Sequence, residues 1–253
     1  MSGTVDIAQD DGVLTLVMNR PDKKNALTDA MYGALADALK AAQDDAAVRA
    51  VAIRGAGDLF CAGNDIGDFL RASSDIGEAN VFRFIRLLGS FTKPLLAGVQ
   101  GRAVGIGTTM LLHCDYVVLA EDALLTTPFA ALGLAPEAAS SSLLPAAIGH
   151  QRAFAMLAMG EALGAEEALA AGLANEVVPG DTLEAALGKA AARIAMLPTG
   201  AVQATKALMR DTDAIAATME AEIEVFARRL QSAEAREAFT AFMEKRAPDF
   251  SKL

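Results

Sequence analysis

Over the first 130 residues, short apolar runs alternate with stretches of helical period. Residues 13–18, Val-Leu-Thr-Leu-Val-Met, read as a strand closed by Asn19-Arg20-Pro21. Thr28 then stands where a helix N-cap is expected. Asp29 follows in the first turn, and Met31, Leu35 and Leu39 recur four apart on a face that runs to about Asp44. A second strand is predicted over 48–54, broken by Gly55-Ala56-Gly57. The loop from Asp58 to Asp65 leads into a helical pattern through Phe69. Beyond the polar gap Ser73-Ser74-Asp75, Val81, Phe84, Ile85 and Leu88 share one face of another helix. Strand patterns return at 94–99 and 116–120, with Gly101, Gly105, Gly107 and a short helix over 108–113 between them.

This order of strand, glycine-bearing loop and helix recurs at an irregular period of about 45 residues, which predicts stacked ββα turns in place of a doubly wound sheet. From about Ala138 onward the period is helical almost throughout: 143–147, 151–159, 165–171 with Gly172 as its stop, 182–197 ended by Pro198, 202–210, 214–230 and 233–245. The expectation is an α/β chain of 253 residues, with a ββα core over 1–195 and a helical region over 196–253 that together form one functional unit.

Composition narrows the partners. Hydrophobic residues make up 53% of the chain but aromatics only 5%, so the core rests on Ala, Leu and Val. A net charge of −10 with no basic stripe argues against nucleic acid, whose phosphates need clustered Lys and Arg. An anionic ligand has to be met by a local pair such as Lys23 and Lys24. No apolar run approaches the roughly 20 residues that span a bilayer, and residues 1–11 carry Asp6, Asp10 and Asp11 in place of an apolar signal core. Cys61 and Cys114 give no disulfide framework, so a reducing, cytoplasmic location is expected. In a eukaryote the terminal Ser251-Lys252-Leu253 would instead be read as a peroxisomal address.

Several chemistries find no support. His113 and His150 are too few and too far apart for a metal cluster, and both are expected to be structural. No G-x-S-x-G elbow surrounds a serine, Gly105-Ile106-Gly107 lacks the third glycine of a dinucleotide fingerprint, and no G-x-x-x-x-G-K-[ST] run occurs. What remains is two glycine-containing loops that each run from a strand into a helix, Cys61-Ala62-Gly63-Asn64-Asp65 and Gly101 to Gly107. A helix N-terminus offers unpaired N–H groups and a positive dipole end, so two such ends facing one point would make an oxyanion hole. Taken singly, each loop is more commonly structural.

Together these loops resemble the crotonase (enoyl-CoA hydratase/isomerase) family, and the resemblance runs through almost the whole chain. It is carried by Arg20-Pro21 with Asn25-Ala26-Leu27, by Phe60 to Ile66 and Val99 to Gly105, and by Cys114-Asp115. It continues in Gly160-Glu161-Ala162-Leu163, Ala165-Glu166-Glu167-Ala168, and Gly172 to Pro179. The resemblance implies a crotonase-like spiral of ββα turns whose C-terminal helices pack between the subunits of a homotrimer or hexamer. It implies an acyl-CoA thioester as partner, no metal, and no cofactor beyond the CoA of the substrate. It places the oxyanion-hole amides on Asn64 and Ile106. The adenine end of CoA is expected against the backbone of Cys61, Ala62 and Gly63, close to Asp65 and Gly105, with Lys23, Lys24 or Lys245 near the phosphates. Each lysine reads equally well as a solvated surface charge, and Asp65 reads better as a brace for its loop than as an acid. Phe129, with Phe69, Phe82 and Phe84, is a candidate wall for an acyl pocket, although an ordinary core is the commoner use of such residues.

Where the family's hydratases carry two glutamates, this chain has Thr109 and, near the second position, Ala130. One carboxylate follows in Leu132-Gly133-Leu134-Ala135-Pro136-Glu137. That run is similar to the Δ3,Δ2-enoyl-CoA isomerase branch, whose single catalytic glutamate would match Glu137. Hydration needs groups to deprotonate water and to protonate the α-carbon, whereas shifting a double bond needs one base that takes a proton at C2 and returns it at C4. The competing reading of Glu137 is a helix-start carboxylate that follows Pro136 and favours the dipole there. A hydratase, another crotonase reaction and a non-catalytic acyl-CoA-binding relative stay open.

Overall fold

The computed structural model describes residues 4–67 and 79–253, so the helical pattern expected through Phe69 lies outside the described residues. In chain order the strands are β1 (Thr4–Asp10), β2 (Val13–Asn19), β3 (Ala50–Gly55), β4 (Leu95–Val99), β5 (Arg102–Val104), β6 (Tyr116–Ala120), β7 (Leu124–Thr126), β8 (Leu163–Gly164) and β9 (Glu176–Val178). They form a larger sheet in the order β1-β2-β3-β4-β6-β9 and a smaller one in the order β5-β7-β8. In the larger sheet only β1 runs antiparallel to its neighbour. Successive turns of chain place one strand in each sheet, β4 then β5 across Gly101 and β6 then β7 across residues 121–123. This is the spiral of ββα turns that the repeat predicts.

The central parallel strands β3, β4 and β6 are buried on both faces, as a sheet covered by layers on each side requires. On one face Leu16, Val51, Ile53, Leu95 and Ala97 enter the main core, together with Met31, Leu35 and Leu39 of the helix Asp29–Asp44. Thr28 caps that helix, its hydroxyl accepting from Met31 N at 3.3 Å. On the other face the small residues Ala50 and Ala52, with Leu96, admit Leu187 and Ala191 of the helix Leu183–Ala195.

The C-terminal helices Thr199–Met209, Thr212–Leu230 and Ala233–Met243 pack on their own chain's core. Lys206 is buried and donates from Nζ to Lys93 O at 2.8 Å and to Asp115 Oδ2 at 2.6 Å. Phe226 meets Phe82 edge-on at 6.3 Å. Among the described residues, no helix is long and apolar enough to cross a membrane.

Two classes of element escape the sequence pattern. Strands β5, β7, β8 and β9 span only two or three residues, too few to display a period, and β1 presents mostly exposed positions, with no buried face to read. The helix expected over 108–113 begins at Ile106, and from Met110 it tightens into a 3₁₀ turn.

The spiral turns sharply at Gly101, whose φ of +57° would place a Cβ 2.3 Å from Asp58 O. Gly172 has a similar positive φ with nothing within 4 Å. In urea unfolding, Gly101→Ala is therefore expected to cost more than about 3 kcal/mol and Gly172→Ala only about 1 kcal/mol. Equal losses would show that backbone strain, not the close approach to Asp58, governs Gly101.

Candidate functional site

The two glycine-containing loops are joined by a short parallel ladder. Cys61 N donates to Arg102 O at 3.1 Å, and Cys61 O accepts from Val104 N at 2.9 Å. A second bridge ties the first loop to Leu27, which donates from its N to Gly63 O at 2.8 Å and accepts from Asp65 N at 2.9 Å. That pairing consumes the backbone groups on either side of Asn64 and turns the Asn64 N–H the other way. Among the described residues this N–H has no acceptor. Ile106 opens the helix Ile106–Thr109, so its N–H also lacks an intrahelical partner, and among the described residues it too has no acceptor. Two adjoining loops therefore each present one uncommitted amide.

The motif residues that precede the first loop serve as braces. Asn25 is fully buried and donates from Nδ2 to Ala56 O at 2.8 Å and Leu59 O at 2.7 Å. Arg20 Nη1 binds Asp65 Oδ2 at 2.7 Å and Ala26 O at 3.0 Å, which gives Asp65 the bracing role expected of it. Tyr32 donates its hydroxyl to Asn64 Oδ1, fixing the side chain of the residue whose amide is free.

Glu137 lies beside these loops at only 5% exposure. Its Oε1 accepts from the Thr109 hydroxyl at 2.8 Å, so Thr109 occupies the carboxylate's neighbourhood as a hydrogen-bond donor. Burial pushes the Glu137 carboxyl up to about 8; the Thr109 hydrogen bond works against that rise, and the charge of Glu222 adds to it. Glu137 also raises Tyr32 and Cys61, beyond what burial does to both. The helix that follows starts at Ser140, with Ala139 as its cap, so Glu137 is not a first-turn carboxylate. The two residues after Glu137 are alanines in the left-handed region, Ala138 at φ +59° and Ala139 at +56°. Side chains distant in sequence hold this turn. His113 Nε2–H donates to Ala138 O at 2.8 Å, and Arg210 Nη2 donates to His113 Nδ1 at 2.9 Å. A carbonyl only accepts and a guanidinium only donates, so the tautomer follows, and burial holds His113 neutral, down at about 3. Glu222 accepts from Ala139 N at 2.6 Å and from Ser141 N at 2.8 Å.

A cavity of about 710 Å³ opens onto the loops. Lys23, Lys24, Ala62, Gly63, Asn64, Asp65, Gly105, Ile106 and Phe129 line it, and Phe226, Phe239 and Phe242 from the C-terminal helices complete its apolar wall. Cys61 does not line it, because its side chain is fully buried and its backbone is spent in the ladder. Neither does Lys245, which is exposed on the turn after the last long helix. Phe82 and Phe84 belong to the core, Phe69 lies outside the described residues, and the buried Glu137 is not among the residues that line this cavity.

Sequence reasoning missed Tyr32, Glu222 and Arg210. A signal existed for Glu222: it falls on the stripe Ile215, Met219, Phe226, Leu230, a carboxylate among buried apolar positions.

A family model for enoyl-CoA hydratase/isomerase matches residues 8–252. The chain is similar to the 1,2-epoxyphenylacetyl-CoA isomerase of Escherichia coli K12, at 34% identity over 251 residues and 95% of each chain. It is similar to enoyl-CoA delta isomerase 2 of Rattus norvegicus at 39% identity over 213 residues, covering 82% of this chain and 54% of the rat protein. The crystal structure of an enoyl-CoA hydratase/isomerase from Pseudoalteromonas atlantica T6c superposes with a TM-score of 0.93 at 42% identity, covering 97% of this chain and 99% of that one. Fold, paired loops and matches over nearly the full length agree, and the chain belongs to the enoyl-CoA hydratase/isomerase (crotonase) family of acyl-CoA-processing enzymes.

Proposed function

We propose that the protein shifts the double bond of a 3-enoyl-CoA to give the 2-enoyl-CoA. The observation that carries this reading is the buried carboxyl of Glu137 beside loops that present two uncommitted amides, with the neutral Thr109, which donates to it, where the family's hydratases place a glutamate. As a carboxylate, Glu137 removes a proton from C2. The electron pair spreads over C2, C3, C4 and the thioester oxygen, which takes hydrogen bonds from Asn64 N–H and Ile106 N–H. Glu137 then returns the proton to C4. Each amide supplies about 3 kcal/mol of transition-state stabilisation and the base a factor on the order of 10² to 10⁴. Lys23 and Lys24 at the mouth meet the CoA phosphates, and the phenylalanine wall receives the acyl chain.

A second reading has its own support. The Escherichia coli relative, matched over 95% of both chains, is named for an isomerisation of a 1,2-epoxyphenylacetyl thioester, and four phenylalanines line the cavity here. A ring-bearing acyl group is the corresponding substrate.

Incubation with a trans-3-enoyl-CoA is expected to yield the trans-2-enoyl ester, and Glu137→Gln is expected to lower that rate by about 10² to 10⁴ with the fold intact. Rapid 3-hydroxyacyl formation from a trans-2-enoyl-CoA would instead make the protein a hydratase. Turnover confined to ring-bearing thioesters would favour the second reading, and silence on all three would favour a binding-only relative.

The raised carboxyl gives a pH dependence with a definite sign. The base must be ionised, so kcat/KM is expected to climb about tenfold per pH unit below neutrality and to level off above about 8. Between 4.5 and about 8 the folded chain keeps a proton that the unfolded chain has lost, so stability falls as pH rises through that window. Glu137→Gln should melt higher than the parent at pH 9 and at the same temperature at pH 4. A parent that melts at least as high as Glu137→Gln at pH 9 would show that the carboxyl is not raised.

Exposed Met196, Leu197, Leu208 and Met209 in the region 196–253 support self-association there into a trimer or hexamer. Sedimentation is expected to give three or six subunits, and Leu208→Glu to dissociate them; a monomeric parent would remove this part of the reading.

A further inference from the structure

We propose that Glu222 is a positioning residue for the base: its carboxylate, from the middle of the helix Thr212–Leu230, holds the turn Glu137-Ala138-Ala139 left-handed and keeps the Glu137 carboxyl on Thr109 and toward the oxyanion amides. The inference rests on the isomerase reading of Glu137.

Two consecutive alanines at positive φ persist only where surrounding groups over-determine them, since each left-handed residue with a Cβ is disfavoured. The local sequence supplies restraints through Ser140, whose hydroxyl and N–H donate to Glu137 O at 2.6 and 3.1 Å, and through Ser142, whose hydroxyl donates to Ala139 O at 3.1 Å. Further restraints come from elements distant in sequence. Glu222 is 7% exposed and takes both free amides at the start of the helix Ser140–Ile148, those of Ala139 and Ser141, with one oxygen each. Arg210 acts from the opposite side through His113, which grips Ala138 O. A carboxylate that binds two N–H groups at a helix start is stabilised as an anion, and the charge of Glu222 raises Glu137. Burial raises Glu222 as well, and the hydrogen bonds from Ser141 and Ala139 oppose that rise.

The titratable groups that face Glu137 come from three elements. Tyr32 faces it from the helix Asp29–Asp44, Cys61 from the first loop, and Glu222 from the helix Thr212–Leu230. Tyr32 is held well above its ordinary range, and Cys61 is pushed up to about 12, so both stay neutral while the base works. Arg210 reaches this region only through His113. Glu222 is then the neighbour whose charge Glu137 feels, and one residue both aims the base and biases its proton.

The two effects separate in one experiment on the full-length protein. In Glu222→Gln, kcat for the 3-enoyl thioester is expected to fall by a factor on the order of 10² while KM moves by no more than about twofold, because a misaimed base loses transition-state and not ground-state binding. The ¹³C-carboxyl titration of Glu137, assigned by its loss in Glu137→Gln, is expected to move down by roughly one pH unit once the neighbouring negative charge is gone. Adding Ala139→Gly, which accepts positive φ without a clamp, should restore much of kcat and leave the titration midpoint where Glu222→Gln put it. Should Glu222→Gln alone not fold, the double variant, relieved of the strain, carries the midpoint measurement.

An unmoved Glu137 midpoint, or a kcat loss that the glycine does not relieve, overturns the proposal and leaves Glu222 a packing residue. A protein that turns over no 3-enoyl thioester defeats the isomerase reading, yet the carboxyl titration, which needs no substrate, still decides whether Glu222 acts on Glu137.

Discussion

The site depends on the paired backbone of Cys61. Its N–H and C=O bind Arg102 and Val104, and these two hydrogen bonds set a loop from one turn of the spiral against a loop from the next. Without that ladder the amides of Asn64 and Ile106 would belong to separate surfaces. With it, the alternation of an extended chain leaves one N–H unpaired between two that are paired, and the adjoining helix start leaves another. Two uncommitted amides arise here from backbone geometry alone, which is why the residues that carry them, an asparagine and an isoleucine, need share no chemistry.

Against this stiff frame stands a costly feature. Two carboxyl groups are buried within one neighbourhood, and the chain between them passes through two left-handed alanines. Each such alanine costs about 1–2 kcal/mol, and a desolvated carboxylate without partners costs more. Hydrogen bonds to a charged group return about 1.5–3 kcal/mol each, and Glu222 makes two of them at the point of strain. The C-terminal helices therefore do more than cover the core. They supply the anion and, through Arg210 and His113, the second restraint that make the turn stable. A ββα core cut at residue 195 would lack both.

Much of this was legible in the residues. The strands of the larger sheet that face the core, and every long helix from Ser140 onward, announced themselves by period, because each buries a continuous stripe. The loops at Asn64 and Ile106 were legible as glycine-bearing strand-to-helix turns, whereas Glu137 became a candidate base only through the resemblance to the isomerase branch. The three-residue strands were not legible, since they show no period and owe their pairing to neighbours elsewhere in the spiral. Cys61 and Lys245 do not line the cavity for a related reason: proximity in sequence to Gly63 or Phe242 says nothing about which way a backbone group or side chain points. Tyr32, Arg210 and Glu222 act across long stretches of chain, and only Glu222 left a local trace, as a charge on an otherwise apolar helix stripe.

The identity of residue 109 then bears on which reaction the common frame runs. A glutamate at that position would face Glu137 as a second ionisable group and could hold or release a proton of its own. Thr109 does neither within any working pH range. Its hydroxyl donates to Glu137 Oε1 and so favours the ionised form of a group that burial otherwise keeps neutral. Burial, opposed by that hydrogen bond and aided by the charge of Glu222, leaves a carboxyl near 8, which in the proposed isomerisation takes a proton from the carbon beside the thioester and returns it two carbons along. A site with one such group moves protons along a substrate more readily than it adds water across it.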